Sequence, residues 1–465
     1  MNFKLPFHVR RFYPLERGER DEDVDFFTMF ARCLTLAALV ACAAAVPSAI
    51  IAAFGADPTT TITISFSSNT SAAAVVTVSP PVGGASRFPA AGFDNSYANE
   101  AGVRVVYRTT LTGLSPKTTY TYTVAVGADA AAPRTFTTLS ANAADVPRVI
   151  FWGDLGRDGG GQALPALEAE AAATAARAPG AGDVGIQAGD FAYDLGDERG
   201  ARGAAFMERF SMIAATLPTF TVIGNHVVPK DLPLDVNASH YVNMLGANMP
   251  GATNGSYYSA DVGLQHLVFL SSEVIALGPY GGVTVEAQSA WLAADLAAVN
   301  RTRTPWVIAI LHRPFLCSNA NSWCGKDATL TNPVRIELEP LFLAGGVDVV
   351  LAGHEHSVEL TWPVKNGVAT AFDYNAPRAP VHVIAGAAGC NEEKGECLNP
   401  MGPPAGTWSR ARLAGDPAQY GYSRFWATNA THWHLEQVQT SLPGGPVLWD
   451  EAVDIYQPSH GPFDA

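Results

Sequence analysis

Residues 184–194 read Val-Gly-Ile-Gln-Ala-Gly-Asp-Phe-Ala-Tyr-Asp, an apolar run that ends in a glycine followed by polar side chains. Four other short apolar runs also end at an aspartate, an asparagine or a histidine, in segments 149–154, 220–226, 306–312 and 347–356. Runs of this length and composition predict strands, and amphipathic stretches predict helices at 162–178, 285–299 and 334–343. Alternating strands and helices indicate an α/β layered domain.

The flanking regions are richer in predicted strands. From residue 59 to 138 the chain is rich in Thr, Val and Ser and largely alternating, which is typical of a small β-sandwich. Its stretch 114–124 resembles a fibronectin type III strand that opens with a tyrosine corner at Tyr120. Further strands are predicted late in the chain, at 381–385, 423–427, 432–439 and 447–453. We expect three parts: a leader at 1–55, a sandwich at 56–146 and a layered domain at 147–465.

An uncharged apolar stretch covers residues 34–54, directly after Arg32. Its small residues resemble a signal-peptidase site, and its length is about enough to span a bilayer. The stretch is therefore interpreted as a cleaved signal peptide or as an uncleaved membrane anchor. Both interpretations predict entry into the secretory route, and hence a secreted, luminal or cell-surface protein.

Cysteine spacing agrees with an oxidising compartment. Four cysteines form two local pairs, Cys317 with Cys324 and Cys390 with Cys397, which suggests two small disulfide loops. A zinc site is the alternative, but no paired C-x-x-C spacing occurs. Five N-x-S/T sequons give mild support for glycosylation, at Asn69, Asn237, Asn254, Asn300 and Asn429.

Composition excludes several classes of protein. With 48% hydrophobic and 15% charged residues, the chain can bury large cores and is not a disordered protein. Its formal charge of −14 repels phosphate backbones, so we expect no general nucleic-acid binding. A single apolar stretch excludes a polytopic membrane protein. Nothing in the composition predicts the oligomeric state.

The polar residues at the strand ends form a set of metal donors. Carboxylate and phenolate oxygens suit a trivalent ion, imidazole and amide groups suit a divalent one, and one carboxylate can bridge two cations. A lone Gly-Asp pair usually marks a turn, and the H-x-H at His432 and His434 follows no glycine turn and is interpreted as structural. The ordered occurrence of five segments, each behind its own strand, indicates a metal site. Its candidate ligands are Asp154, Asp190, Tyr193, Asn225, His312, His354 and His356.

These segments resemble the purple acid phosphatases, which belong to the calcineurin-like metallophosphatase superfamily. The family blocks GDxG, GDxxY, GNH, a strand ending in His, and GHxH occur in this order between Gly153 and His356. Weaker similarity extends the resemblance over roughly residues 59–463. It implies a four-layer αββα metallophosphatase sandwich that follows a fibronectin type III-like β-sandwich.

The resemblance also implies a role for each candidate residue. Asp154, Tyr193 and His356 would hold Fe(III), while Asn225, His312 and His354 would hold a divalent metal (zinc, iron or manganese), and Asp190 would bridge the two. His226 matches the histidine that contacts the phosphate and can protonate the leaving group. The implied reaction is acid hydrolysis of phosphate monoesters, in which a metal-bound hydroxide attacks phosphorus in line.

The sequence departs from the family pattern at several positions. Val227 stands where a carboxylate usually follows GNH, and Val358 and Leu360 replace the usual tyrosine and arginine. The substrate-facing histidine that many members carry after the fourth block is also absent. Leaving-group protonation then rests on His226 or on an unidentified acid. Two alternatives stay open: a phosphodiesterase or nucleotide pyrophosphatase on the same metals, and a non-enzymatic surface scaffold.

Overall fold

The computed structural model describes residues 46–94, 105–156, 163–227, 238–251, 253–278, 283–318, 324, 331–389, 406–413, 420–440, 447–448 and 452–463. Its N-terminal part is an antiparallel β-domain of eight strands. These are β1 (Ser48–Phe54), β2 (Ile62–Ser68), β3 (Ala74–Val82), β4 (Ala85–Asp94), β5 (Val105–Leu111), β6 (Thr119–Val126), β7 (Asp129–Ala130) and β8 (Arg134–Thr137).

The strands of this β-domain pair in the order β1-β2-β5-β4-β3-β6-β7, and β8 pairs with β6. Alternate residues of β6 are buried, as the period-two pattern predicts. At its start, the hydroxyl of Tyr120 accepts a hydrogen bond from the backbone N–H of Ser115 over 2.9 Å. This is the contact expected of the predicted tyrosine corner.

The first strand corrects the interpretation of the apolar stretch at 34–54. Ser48–Phe54 is a strand that pairs antiparallel with β2, and Phe54 is fully buried. The predicted span is therefore wrong over these residues, and the β-domain begins ahead of the expected boundary at 56. A short alanine-rich apolar run fits a buried strand as well as a helix. Residues 34–45 lie outside the described residues. No helix in the described ranges combines the length and apolar character of a membrane span.

The described residues after this β-domain contribute fifteen strands. They are β9 (Val149–Trp152), β10 (Val184–Ala188), β11 (Thr219–Val222), β12 (Tyr258–Val262), β13 (Gln265–Phe269), β14 (Trp306–Leu311), β15 (Val349–Ala352), β16 (Val358–Lys365), β17 (Val368–Ala369), β18 (Val381–Ala385), β19 (Ser409–Leu413), β20 (Gly421–Asn429), β21 (His432–Gln439), β22 (Val447–Leu448) and β23 (Val453–Tyr456). The predicted strands are thus confirmed, with shifted ends and with 447–453 divided between β22 and β23.

These strands form two sheets. The first has the order β11-β10-β9-β20-β21-β22, with β23 paired to β21, and its strands β9, β10 and β11 are parallel. The second has the order β12-β13-β14-β15-β18-β16-β17, with β19 paired to β16. Here β13, β14, β15 and β18 are parallel. The late antiparallel strands therefore extend both sheets, and they do not form a separate domain.

The described helices are α1 (Ala163–Ala175), α2 (Ala201–Ala214), α3 (Ser239–Met244), α4 (Glu273–Leu277), α5 (Val285–Ala298) and α6 (Pro333–Gly345). The predicted helices correspond to α1, α5 and α6. The Asn332 side chain caps α6 by accepting from the backbone N–H groups of Val334 and Arg335. Gly346, with φ +67°, ends the same helix in the left-handed conformation.

Most buried strand residues belong to three large apolar clusters. Phe151 and Ile186 of the first sheet share a cluster with Leu267 and Ile308 of the second. Ile150 and Trp152, which point the other way, join residues of α1 and α2. In the second sheet, Val307 and Ala309 join residues of α5 and α6. One face of each sheet therefore contributes to a common apolar cluster and the other face packs on helices.

Hydrogen bonds connect the β-domain to the segments that surround the first sheet. The Tyr122 hydroxyl donates to the carbonyl of Ala215 over 2.6 Å, and Arg108 Nε donates to Asn248 Oδ1 over 2.6 Å. Ala49 N–H in β1 donates to Glu208 of α2 over 3.3 Å. Residues 45–465 accordingly form one compact unit.

Candidate metal centre

The candidate ligands follow strands that end at facing edges of the two sheets. Parallel neighbours bring their carboxyl ends to the same edge of a sheet, which is where open α/β sheets bind ligands. In the first sheet this applies to β9, β10 and β11, and in the second to β14 and β15. The residues that follow these strands are Asp154, Asp190, Tyr193, Asn225 and His226 on one side and His312, His354 and His356 on the other.

Glycines at these strand ends let the side chains approach one another. Gly189 has φ +80°, and a Cβ there would lie 2.4 Å from His312 Nδ1. A Cβ on Gly224 would lie 2.3 Å from Asp190 Oδ1. Neither position can carry a side chain without displacing a candidate ligand, which gives a physical reason for the glycines in the GD and GNH segments.

The first group of contacting side chains comprises Asp154, Tyr193 and His356. The Tyr193 hydroxyl lies 3.1 Å from Asp154 Oδ1 and 2.9 Å from His356 Nε2. His356 Nε2 lies 3.4 Å from the same Asp154 oxygen. All three residues are buried. A carboxylate, a phenol and an imidazole thus converge within hydrogen-bonding distance.

The second group comprises Asp190, Asn225, His312 and His354. His312 Nε2 lies 3.1 Å from Asn225 Oδ1, 3.2 Å from Asp190 Oδ2 and 3.3 Å from His354 Nδ1. On the other side of its ring, His312 Nδ1–H donates to the carbonyl of Ala188 over 2.8 Å. That bond fixes the ring so that Nε2 faces the other donors, as in the histidines that ligate metals.

The two groups are contiguous. The backbone N–H of His354, in the second group, donates to Asp154 Oδ2 of the first over 2.8 Å. Asp190, His312 and His354 each offer a ligand atom, and these atoms lie within 4.8 Å of one another. The structure therefore brings all seven predicted ligands into one buried site, and the donor atoms there fit a cation.

Charges in the second group depend on Asp190. Burial alone would raise the pKa of its carboxyl, but His312 and His226 beside it hold that pKa far below the usual range. Burial lowers and Asp190 raises the pKa of His312, which reaches about 9. Burial and the nearby Arg313 hold the pKa of His354 well below its usual value. A bound cation would replace the extra proton of His312, so binding here releases a proton.

His226 lies against both groups. Its backbone N–H donates to Asp190 Oδ1 over 2.9 Å, and its ring packs on Tyr193 with centroids 4.6 Å apart. Its Nδ1 donates to Asp194 Oδ1 over 2.8 Å. Asp194 is buried, and the sequence analysis did not identify it. Its position directly after Tyr193 of the GDxxY block is the sequence feature that could have identified it.

The surroundings of Val227 explain why no carboxylate follows the GNH block in this chain. Its side chain is fully buried in the apolar cluster that includes α1 and α2, where a carboxylate would lose its solvation. Asp194 supplies a carboxylate to the same histidine from the neighbouring segment. Sequence reasoning also did not identify Arg313, whose Nη1 lies 2.9 Å from His354 Nε2.

Three family descriptions match consecutive parts of the chain. Residues 47–138 match the purple acid phosphatase N-terminal domain, 147–358 the calcineurin-like phosphoesterase domain, and 379–448 the iron/zinc purple acid phosphatase-like protein C domain. Acid phosphatase type 7 of Homo sapiens is 34% identical over 354 residues, which cover 73% of this chain and 75% of the human protein. The chain belongs to the purple acid phosphatase family. It is a hydrolase, a metallophosphoesterase of the acid phosphatase type.

Two further relatives and one solved structure are also similar to this chain. Acid phosphatase type 7 of Danio rerio is 35% identical over 394 residues, 80% of this chain and 83% of that protein. Purple acid phosphatase 18 of Arabidopsis thaliana is 31% identical over 53% of this chain and 52% of its own. The structure of purple acid phosphatase PPD1 from yellow lupin seeds superposes with a TM-score of 0.72 at 20% identity, covering 89% of this chain and 75% of that one.

The other predicted residues are the two cysteine pairs, a second H-x-H pair and the five sequon asparagines. Cys317 and Cys324 form a disulfide, which confirms the first predicted pair, whereas Cys390 and Cys397 lie outside the described residues. His434 of the H-x-H pair contacts Asp454 at 2.6 Å, and its partner His432 contacts Asn429 at 3.1 Å. The sequon asparagines are exposed at Asn69, Asn254, Asn300 and Asn429, and Asn237 lies outside the described residues.

Proposed function

We propose that this chain is a secretory-route acid phosphatase that hydrolyses phosphate monoesters at a dinuclear centre of Fe(III) and a divalent metal, which is zinc, iron or manganese. The observation that carries the proposal is the convergence of two contiguous ligand groups, one with a phenol and one without. Hard carboxylate and phenolate oxygens favour a trivalent ion, and imidazole with amide favours a divalent one.

Each group would hold one metal. Asp154, Tyr193 and His356 would bind Fe(III), and Asn225, His312 and His354 would bind the divalent ion. Asp190, whose carboxyl carries a negative charge beside His312, would be shared by both. When bound, the two cations supply Lewis acidity, which activates water and stabilises charge on the phosphoryl oxygens.

His226 would bind the substrate phosphate and donate a proton to the leaving alcohol. Its Nδ1–H is engaged by Asp194, so Nε2 is the ring atom that can carry the transferred proton. Asp194 is a positioning residue, since it fixes the ring and stabilises the protonated imidazole. The contact of His226 with Tyr193 holds the ring beside the phenol end of the site.

We also propose a layer arrangement for the catalytic domain and a fold type for the N-terminal domain. The three apolar clusters support a four-layer αββα sandwich, because helices share a cluster with the outer face of each sheet. The Tyr120 hydrogen bond supports a fibronectin type III-like N-terminal domain. We place the boundary between this domain and the catalytic domain near residue 146.

Secretory-route localisation is supported by a disulfide and by the exposure of four sequon asparagines. A disulfide forms between Cys317 and Cys324, and four sequon asparagines are exposed, as glycosylation in the lumen requires. Whether the leader upstream of β1 is cleaved or stays attached is decided by the N-terminal sequence of the protein isolated from cells.

The test is metal analysis of the full chain together with rates against pH on an aryl phosphate monoester and on a diester. We expect two metal ions per chain, and faster hydrolysis of the monoester in acid. Faster hydrolysis of the diester would establish the phosphodiesterase alternative. A chain that binds metals without hydrolysing either substrate, or binds none, would be a scaffold, and the proposal would be wrong.

A further inference from the structure

Arg313 and Glu273 form a buried ion pair beside the divalent half of the centre. Arg313 directly follows His312 after β14, and Glu273 begins α4 shortly after β13, the parallel neighbour of β14. Arg313 Nε lies 2.9 Å from each carboxylate oxygen of Glu273. Glu273 is fully buried, and Arg313 is 9% exposed. Neither residue belongs to the proposed ligand set.

Local hydrogen bonds hold the pair in one geometry. The backbone N–H of Arg313 donates to Ser272 Oγ over 2.9 Å, and Ser272 Oγ donates to Glu273 Oε1 over 3.2 Å. While Nε of the guanidinium binds Glu273, its Nη1 faces the metal centre and lies 2.9 Å from His354 Nε2. A planar guanidinium held in this way has little freedom to move away from His354.

The charge of Arg313 opposes cation binding. A fixed positive charge in contact with a ligand ring repels a cation on that ring, and the repulsion is strong because water is excluded. A buried carboxylate on the far side of the guanidinium cancels that charge. Removing one partner of a buried pair leaves the other uncompensated, whereas removing both is often tolerated.

We infer that Glu273 is a positioning residue for the divalent metal: it fixes the Arg313 guanidinium against His354 and cancels its charge. The inference rests on the proposed function, because it takes His354 as a ligand of the divalent ion. It extends that proposal to two residues outside the ligand set. It also predicts that substitutions of the two members of this ion pair have unequal effects on divalent-metal affinity.

The experiment is a double-mutant cycle in the full chain, with divalent-metal affinity and metal content as readouts. Glu273→Gln removes the carboxylate charge that faces the Arg313 guanidinium, and we expect it to weaken divalent-metal binding by at least about tenfold, the usual effect of residues that support ligands. Arg313→Met should leave the affinity close to that of the wild type. The double variant, which has neither charge of this ion pair, should recover most of the affinity lost in Glu273→Gln.

Two controls separate this effect from general destabilisation. Arg335 and Glu339 form another buried pair, within α6, so Glu339→Gln should leave divalent-metal affinity unchanged. The Tyr193–Fe(III) absorption band reports on the other half of the centre and should survive in Glu273→Gln. Loss of both metals together would show a general structural role and overturn the inference.

The inference would also be overturned if the double variant lost as much divalent-metal affinity as the two single variants together. A loss of affinity in Arg313→Met as large as that expected in Glu273→Gln would overturn it as well. If Glu273→Gln does not fold, Arg313→Met and the double variant still decide, because both must bind the divalent ion nearly as the wild type does. A wild-type chain that does not hold two metals would instead refute the proposed function.

Discussion

Asp194 Oδ1 accepts a hydrogen bond from His226 Nδ1 over 2.8 Å, so a carboxylate reaches this histidine although Val227 occupies the usual acidic position. Asp194→Asn removes the charge that stabilises a protonated imidazole. We expect kcat to fall about 10²-fold for alkyl phosphate monoesters, the lower end of the contribution of a general acid. Aryl phosphates, whose leaving groups need no proton, should lose far less. The measurement is kcat on both substrate types.

A matched control for this prediction is Asp454→Asn. Asp454 forms a similar pair with His434 outside the metal centre, with a contact of 2.6 Å. Both rates should be unchanged in that variant. Equal losses of Asp194→Asn on alkyl and aryl substrates would contradict a role in proton transfer.

Tyr193→Phe removes the phenol of the first ligand group. We expect the visible charge-transfer band of a phenolate–Fe(III) pair to disappear while the chain stays folded, since the ring contact with His226 is retained. Tyr122→Phe is the control, because it removes another buried phenol that hydrogen-bonds only to Ala215 O among the contacts described. An unchanged visible spectrum in Tyr193→Phe would show that Tyr193 is not an iron ligand.

Asp190→Ala removes the carboxylate that contacts His312. We expect loss of measurable hydrolysis of a chromogenic aryl phosphate and fewer than two metals per chain, because the shared ligand is gone. Asp183→Ala is the control, since Asp183 also follows a glycine but contacts none of the candidate ligands among the contacts described. Its carboxylate accepts from the N–H of Arg148, just before β9, and lies 3.9 Å from Arg177 Nη1. Retained activity in Asp190→Ala would refute the bridging role.

His266 links the β12–β13 hairpin to α5. Its Nδ1 lies 2.8 Å from Asp261, which also faces Arg303 at 3.8 Å, and its Nε2 lies 3.0 Å from Asp295, which accepts from Ser259. Burial opposes the charged form, but the two carboxylates raise the pKa of His266 to about 9. A raised pKa stabilises the fold fully below the unfolded value of 6.5, and this stabilisation is lost as pH rises through about 9.

We therefore expect the wild type to lose on the order of 3 kcal/mol more unfolding free energy than His266→Gln between about pH 6 and about pH 10. Urea unfolding at both pH values measures this difference. His434→Gln, at the more exposed pair with Asp454, should behave like the wild type. Equal losses in wild type and His266→Gln would contradict the predicted charge on His266.

The sequence predicts the strand ends well because each carries its own local signal. An apolar run followed by glycine and a polar residue marks both the end of a buried strand and the turn behind it, as at Gly189 and Gly224. Parallel pairing then brings together the ends of β9, β10 and β11 in the first sheet and those of β14 and β15 in the second. Periodicity and spacing predicted these strand ends, whereas the contact of Asp154 with His354 over 2.8 Å depends on how the two sheets pack.

Contacts set by packing between separate segments could not be predicted. Arg313 and Glu273 are separated by a helix and a strand, and no spacing rule pairs them. The role of Asp194 depends on the direction in which the chain turns after Tyr193. The strand Ser48–Phe54 was missed because six of its seven residues are apolar without alternation and are buried on both faces.

The strand β1 limits where a processing protease can cut the precursor. Its backbone pairs with β2 from Ser48 to Phe54, and Ile51, Ala52 and Ala53 are almost completely inaccessible to solvent. Scission after Ala45 would leave this pairing whole, while scission after Ala49 would remove its first rung and the bond to Glu208. A leader cleaved from a secretory form of this chain would therefore have to end upstream of Ser48 to leave the β-domain whole.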